Sequence, residues 1–187
     1  MHVLLAAGAG ERFSGPVHKL LAPIRGVPVV TLSVRAMVEA AGQDCAVVLG
    51  ADTSAELLEA LEGCSTVTNP QWRTGQRSSV LCAVGHARAN GAEQVVIGLG
   101  DQPFVGADSW RAVAAADAPI AVATYGGRRG NPVKLRSDVW ELLESTGGDP
   151  DAGARTLMHM HPELVLEVAC QGSSDDIDTR EDLTKWI

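Results

Sequence analysis

The sequence predicts an α/β domain in which helices cover a largely parallel sheet. Apolar, β-rich runs alternate with helical periodicity almost from end to end. The runs carry little polar interruption, as strands buried on both faces require. The polar, glycine-bearing segments fall mainly after those runs, where open α/β sheets bring strand ends and helix N-termini together.

Strands are expected over 2–6, 45–50, 65–68, 95–99, 120–125, 132–135 and 164–169. After the first, Val30, Val34, Met37, Val38 and Ala41 recur at helical spacing. Ser54 opens a short helix as its N-cap, and Gly63 closes it. The helical pattern returns over 78–89 and stops at Asn90-Gly91; shorter helices follow over 110–116, 138–144 and 152–158. Thr179 and Asp182 form a capping box for a last helix.

Size and composition narrow the function classes. The 187 residues are expected to form one domain, 1–187, large enough to bury a core without disulfides or structural metals. A net charge of -8 argues against general nucleic-acid binding, so an anionic ligand must meet a local basic cluster. Cys45, Cys64, Cys82 and Cys170 are scattered, with no C-x-x-C pair, and read as reduced thiols. The chain starts MHVLLAAG, without a cationic region and long apolar stretch, and no run reaches transmembrane length. A cytoplasmic protein with no membrane partner is expected.

Chemistry concentrates in the loops. LLAAGAGERFSGPVHKLL, from Leu4, joins a strand to a loop with Gly8, Gly10 and Gly15 and then supplies Arg12 and Lys19. Glycine lets backbone N–H groups approach an anion, while a guanidinium and an ammonium neutralise phosphoryl oxygens. It is neither a Walker loop, whose pattern is absent, nor a dinucleotide fingerprint, which needs glycine where Phe13 stands; a nicotinamide oxidoreductase is thereby disfavoured. In VVIGLGDQPFV a strand ends at Gly100 and delivers Asp101 to the sheet edge, a placement that suits either a turn or a hard cation. In SSDDIDTREDL, Asp176 and Asp178 point the same way if the segment is extended, with Ile177 turned inward. That acidic run reads as a helix entrance or, paired with Asp101, as a metal site.

Two more loops can close over ligands. NPQWRTGQRSSV combines Arg73, Gly75, Arg77, Ser78 and Ser79 just before a helix. GGRRGNPV is a β-turn with two exposed arginines, Arg128 and Arg129, or a phosphate clamp. Asp149, Gly153 and Arg155 can add a polar wall; His159 and His161 sit near a helix end, where cations are common without function.

In order, LAAGAGERF...K, NPQW...GQRSS, GDQP, RRGNPV, GD...GAR and DIDTREDL resemble the molybdenum-cofactor nucleotidyltransferases, the cytidylyltransferase branch in particular, over nearly the whole chain. The resemblance implies a Rossmann-like three-layer α/β/α fold of the nucleotide-diphospho-sugar transferase type, its mixed sheet having one antiparallel strand. It implies that Leu5, Ala6, Ala7, Gly8, Arg12 and Lys19 hold the base and triphosphate, with Gly75, Ser78 and Ser79 lining the same site. Asp101 and Asp178 would hold Mg2+; Arg129, Asn131 and Pro132 would face the second substrate. Arg12, Lys19 and Asp101 would carry the catalysis. LAAG and GDQP favour CTP over GTP. The implied reaction is cytidylyl transfer from CTP to the phosphate of molybdopterin, with a client molybdoenzyme as a further partner. Nucleotidyl transfer to another phosphorylated metabolite and a non-catalytic molybdopterin carrier or insertion role are the alternatives.

Overall fold

The computed structural model describes residues 1–13, 17–50 and 54–186. In chain order the strands are β1 (His2–Ala6), a two-stranded hairpin of β2 (Pro23–Ile24) and β3 (Val27–Pro28), β4 (Cys45–Leu49), β5 (Ser65–Thr68), β6 (Gln94–Leu99), β7 (Ile120–Tyr125), β8 (Arg128–Arg136) and β9 (Val165–Ala169). The helices are α1 (Val29–Ala41), α2 (Ala55–Ala60), α3 (Gln76–Ala89), α4 (Ala107–Ala115), α5 (Trp140–Ser145), α6 (Arg155–Met160) and α7 (Arg180–Thr184).

Seven strands form one sheet in the order β5-β4-β1-β6-β8-β7-β9. Every pairing is parallel except the two made by β8, which runs against β6 and β7. From β1 the chain steps outward through β4 to β5, then crosses back to place β6 on the other side of β1. This reversal opens a crevice at the carboxyl ends of β1 and β6, where ligands bind in open α/β sheets.

The strands sit where their apolar runs place them, because β1, β4 and β6 are buried along nearly their whole length. One apolar layer gathers Val3, Leu5, Val84, Ile97, Trp140 and Leu157 on one face; Leu4, Val47, Met37, Trp110 and Val113 form the layer on the other. A smaller cluster of Phe13, Ile24, Val29, Ile177 and Leu183 ties the loop after β1 to the C-terminal segment. Phe104 stacks on Trp186 beside it, ring centroids 3.7 Å apart.

Two elements differ in kind from the sequence reading. β8 starts at Arg128 rather than at 132, because Gly126 and Gly127, both with positive φ, turn the chain tightly enough for pairing to begin at once. Pro132, which lacks an N–H for the ladder, is tolerated because the β7–β8 register shifts between Val122 and Thr124. The helix expected over 152–158 is divided into a 3-10 turn, Pro150–Ala152, and α6, since Gly153 takes φ 56 between them.

Candidate active site

The site begins with how β1 ends. Leu5, Ala6 and Ala7 are buried, and the Leu5 carbonyl accepts from Gly100 N at 2.9 Å, which holds the exits of β1 and β6 side by side. Beyond them Gly8 is exposed, with nothing near the position a Cβ would take. Gly10 has φ 67 and faces the Lys19 stem: a Cβ there would lie 3.1 Å from Lys19 Cγ. Lys19 then opens a single 3-10 turn anchored by buried Leu20, so its backbone is fixed while its side chain reaches back under the loop. Gly15 lies outside the described residues.

Asp101 leaves β6 one residue after Gly100, and its carbonyl accepts from Ile177 N at 2.9 Å. That bond and the burial of Ile177 bring the C-terminal acidic segment alongside the strand exit. The Asp178 backbone N–H donates to Asp182 Oδ2 at 3.2 Å, and the Thr179–Asp182 capping box starts α7 directly after it. Two carboxylates 77 positions apart in sequence thereby converge on one cation. Lys19 Nζ lies 2.6 Å from Asp101 Oδ2 and 3.1 Å from Asp178 Oδ1, while Arg12 reaches Asp178 Oδ2 at 2.9 Å.

Electrostatics follow from this packing. Partial burial pulls the Lys19 pKa down, but attraction and hydrogen bonding from Asp101 and then Asp178 outweigh it and hold the ammonium above the ordinary lysine range. Asp176 is pushed up, first by desolvation, then by repulsion from Asp101 and Asp178, against a hydrogen bond from Gln102 and attraction from Lys19. Asp176 keeps substantial accessible surface, yet it lies in the concave wall of a cleft, where access does not restore full hydration. Among the described residues no group of three His, Cys, Asp or Glu side chains is arranged to hold a metal unaided. The Asp101–Asp178 pair still suits a hard divalent ion, which takes one or two carboxylates and completes its shell with phosphate oxygens and water.

A cleft of about 1270 Å³ opens beside these charges. Leu5, Arg12, Lys19, Asp101 and Asp178 line it, together with Arg128, Arg129, Asn131 and Arg155. Arg129 is held at the rim by Glu167, Nε to Oε1 2.7 Å. Pro132 is buried behind the wall rather than lining it.

The loop before α3 is placed differently from its sequence reading. Gly75, Ser78 and Ser79 do not line the cleft; their neighbour Gln76 does. Asn69 Nδ2 donates to the hydroxyls of Ser78 and Ser79 at 2.8 and 3.1 Å, so both hydroxyls tie β5 to α3. Gly75, at φ 111, packs against the Pro150 carbonyl, which would meet a Cβ at 2.6 Å. Arg77 donates to the carbonyls of Leu143 and Glu144, and Arg73 lies over the Trp72 ring.

Sequence reasoning passed over Gln102, which is 5% exposed. Its Nε2 donates to Asp176 Oδ1 at 2.7 Å and to the Ser174 carbonyl at 3.0 Å, and its Oε1 accepts from Asn131 Nδ2 at 3.1 Å. Tyr125 extends the chain by donating to the Asn131 carbonyl at 2.8 Å. The only signal for Gln102 was its place beside Asp101, because a neutral amide has no chemistry of its own to announce.

Comparison with known proteins agrees with this architecture. Residues 2–165 match the MobA-like NTP transferase domain. The chain is 30% identical to the purine catabolism protein PucB of Bacillus subtilis, over 96% of this chain and 92% of PucB. It is 31% identical to the bifunctional protein GlmU of Sinorhizobium fredii over 78% of its own length, but spans only 29% of that longer protein. Among solved structures, a nucleotidyl transfer enzyme from Methanothermobacter superposes with a TM-score of 0.78 at 28% identity, covering 98% of this chain and 94% of the other. Rv0371c of Mycobacterium tuberculosis, in complex with manganese, superposes with a TM-score of 0.75 at 27% identity over 99% and 96% of the two chains. The fold is thus that of the nucleotide-diphospho-sugar transferases, and the chain belongs to the MobA-like NTP transferase family of nucleotidyltransferases.

Proposed function

We propose that this protein, as a single domain spanning 1–187, transfers the cytidylyl group of CTP to the terminal phosphate of a molybdopterin-type acceptor. A phosphate oxygen of the acceptor forms a bond to the α-phosphorus of CTP. The bond from that phosphorus to the α,β-bridging oxygen breaks, and pyrophosphate leaves with the electron pair. The observation that carries the reading is the meeting of Asp101, Asp178, Lys19 and Arg12 in a cleft that Arg128, Arg129 and Arg155 also line. An anionic donor and an anionic acceptor together need more basic groups than Lys19 and Arg12 alone supply.

The acceptor phosphate is already anionic and needs little help from a general base, so the residues' work is alignment and charge neutralisation. In this reading Lys19 and Arg12 neutralise the triphosphate, the β1 loop from Leu5 to Gly8 approaches the base and phosphates, and Arg129 and Asn131 orient the acceptor. Gly75, Ser78, Ser79 and Pro132 act through the backbone that shapes the walls. Asp101 and Asp178 would hold Mg2+, which supplies Lewis-acid screening of phosphoryl oxygens when bound. The expected setting is the cytoplasm, with a molybdoenzyme as eventual client; among the described residues no helix is long and apolar enough to cross a membrane.

The test is a panel. Purified protein with Mg2+, each of CTP, GTP, ATP and UTP, and either molybdopterin or sugar 1-phosphates is scored for pyrophosphate and for product mass. A cytosine dinucleotide formed from CTP and molybdopterin is the expected product. Turnover confined to sugar phosphates replaces the acceptor, and molybdopterin binding without nucleotide consumption makes the protein a carrier.

A further inference from the structure

The ammonium of Lys19 stands on the two carboxylates that a divalent cation would use. It touches Asp101 Oδ2 at 2.6 Å and Asp178 Oδ1 at 3.1 Å. Its side chain is 11% exposed, and the carboxylates are 17% and 22% exposed. This is no loose surface pair: the stem packs against Gly10 and the backbone is fixed by the turn that Leu20 anchors. Arg12, by contrast, holds the other Asp178 oxygen from an exposed position, 77% accessible, and leaves Oδ1 to Lys19.

We propose that Lys19 is an exchangeable internal cation. It closes the metal position of the free protein and vacates it when a nucleotide triphosphate offers the ammonium a replacement partner. The proposal rests on reading Asp101 and Asp178 as the metal carboxylates. An ammonium and a divalent ion held by the same two carboxylates weaken each other's binding, because two cations repel strongly at such short range. Metal arriving alone must strip Lys19 of two charge-assisted hydrogen bonds and leave it beside the ion. Metal arriving with a triphosphate brings the oxygens that Lys19 needs, and four rotatable bonds let Nζ cross to the cleft while its Cα stays in place. Metal and nucleotide therefore reinforce each other's binding, and linkage makes the reinforcement reciprocal.

The test measures Mn2+ binding to the full chain without nucleotide, by titration calorimetry and by loss of the free-ion electron paramagnetic resonance signal. The wild type is expected to bind weakly, and Lys19→Met about tenfold more tightly, a factor within the usual range of coupling between ligands. Lys19→Arg retains a cation and is expected to stay near the wild type. Should Lys19→Met fail to fold, Lys19→Gln keeps hydrogen-bonding capacity without the charge and is expected to bind more tightly in the same way. The Lys19→Met/Asp101→Asn double variant separates two kinds of failure. If Lys19→Met or Lys19→Gln binds Mn2+ no more tightly than the wild type, the exchange is overturned. If binding by Lys19→Met is tight but unaffected by Asp101→Asn, the ion sits elsewhere and the carboxylate assignment falls with it.

Discussion

Gln102 and Asp176 are joined by a 2.7 Å hydrogen bond in which the buried amide nitrogen donates to a carboxylate oxygen, while the amide oxygen accepts from Asn131. One neutral side chain thus binds the exit of β6, the acidic segment before α7 and the strand that carries Asn131. Because its nitrogen also donates to the Ser174 carbonyl, no rotamer of a shorter or charged residue satisfies all three partners.

Gln102→Glu is accordingly expected to be harmful although it is nearly isosteric. It removes the donor and sets a second carboxylate against Asp176, in a region that already holds Asp101 and Asp178. The repulsion loosens the acidic segment that carries Asp178, so turnover is expected to fall by roughly tenfold or more. Gln102→Leu, which loses the bonds without adding charge, is expected to be the milder change. Steady-state kinetics of the two variants beside their melting temperatures decide the point; Gln102→Glu turning over like the wild type would remove the amide from the machinery.

Asp101→Asn preserves shape and can still accept a hydrogen bond from Lys19, so the fold is expected to persist. It discards the charge that both Lys19 and a divalent ion would use. Loss of one preorganised electrostatic group in a closed site costs roughly 100-fold or more in turnover. Pyrophosphate release at saturating Mg2+ is the measurement, and unchanged metal-dependent turnover is incompatible with the role proposed for Asp101.

Gly10→Ala tests the floor under Lys19. The position combines φ 67, which an L side chain adopts only with strain, with a Cβ contact of 3.1 Å to the lysine stem. The backbone term alone costs about 1–2 kcal/mol, and the lysine must shift as well. The expected result is a lowered melting temperature together with a loss of turnover larger than that of Gly8→Ala, where a Cβ meets nothing within 4 Å. Equal effects at the two glycines would mean that the loop, and not the Lys19 packing, is what matters.

How far the sequence reached depends on the kind of information each element carries. β1, β4 and β6 were legible because burial on both faces writes itself as continuous apolar residues, and the capping box at Thr179–Asp182 because its partners are three residues apart. Residue chemistry pairs Asp101 with the acidic run only as one of two readings and resemblance singles out Asp178, since no local pattern states that Ile177 N will find the Asp101 carbonyl. Ser78 and Ser79 are ambiguous for a related reason. Hydroxyls ahead of a helix suit an anion, but the same hydroxyls suit Asn69, and only the fold brings that amide beside them. The Gln102 network was invisible because its members lie on four separate segments and only Asp176 is charged.

His2 carries the last prediction, which concerns stability. Its ring lies 5.7 Å from Trp110, neither ring nitrogen has a hydrogen-bond partner, and its pKa is lowered to about 4. Burial is the chief cause; repulsion from the terminal amine of Met1 adds to it, and Asp44 opposes both. The folded protein therefore resists a proton that the unfolded chain accepts near the ordinary histidine value of about 6.5. Between those two values the unfolded state binds more protons, so stability rises with pH. The contribution is fully present above about 6.5 and is lost progressively as pH falls toward 4, with an upper bound of about 3 kcal/mol. His2→Phe keeps an aromatic ring against Trp110 without a titrating group. Its urea midpoint is expected to change less between pH 7 and pH 5 than that of the wild type. Parallel losses in the two proteins would assign the acid sensitivity to other groups.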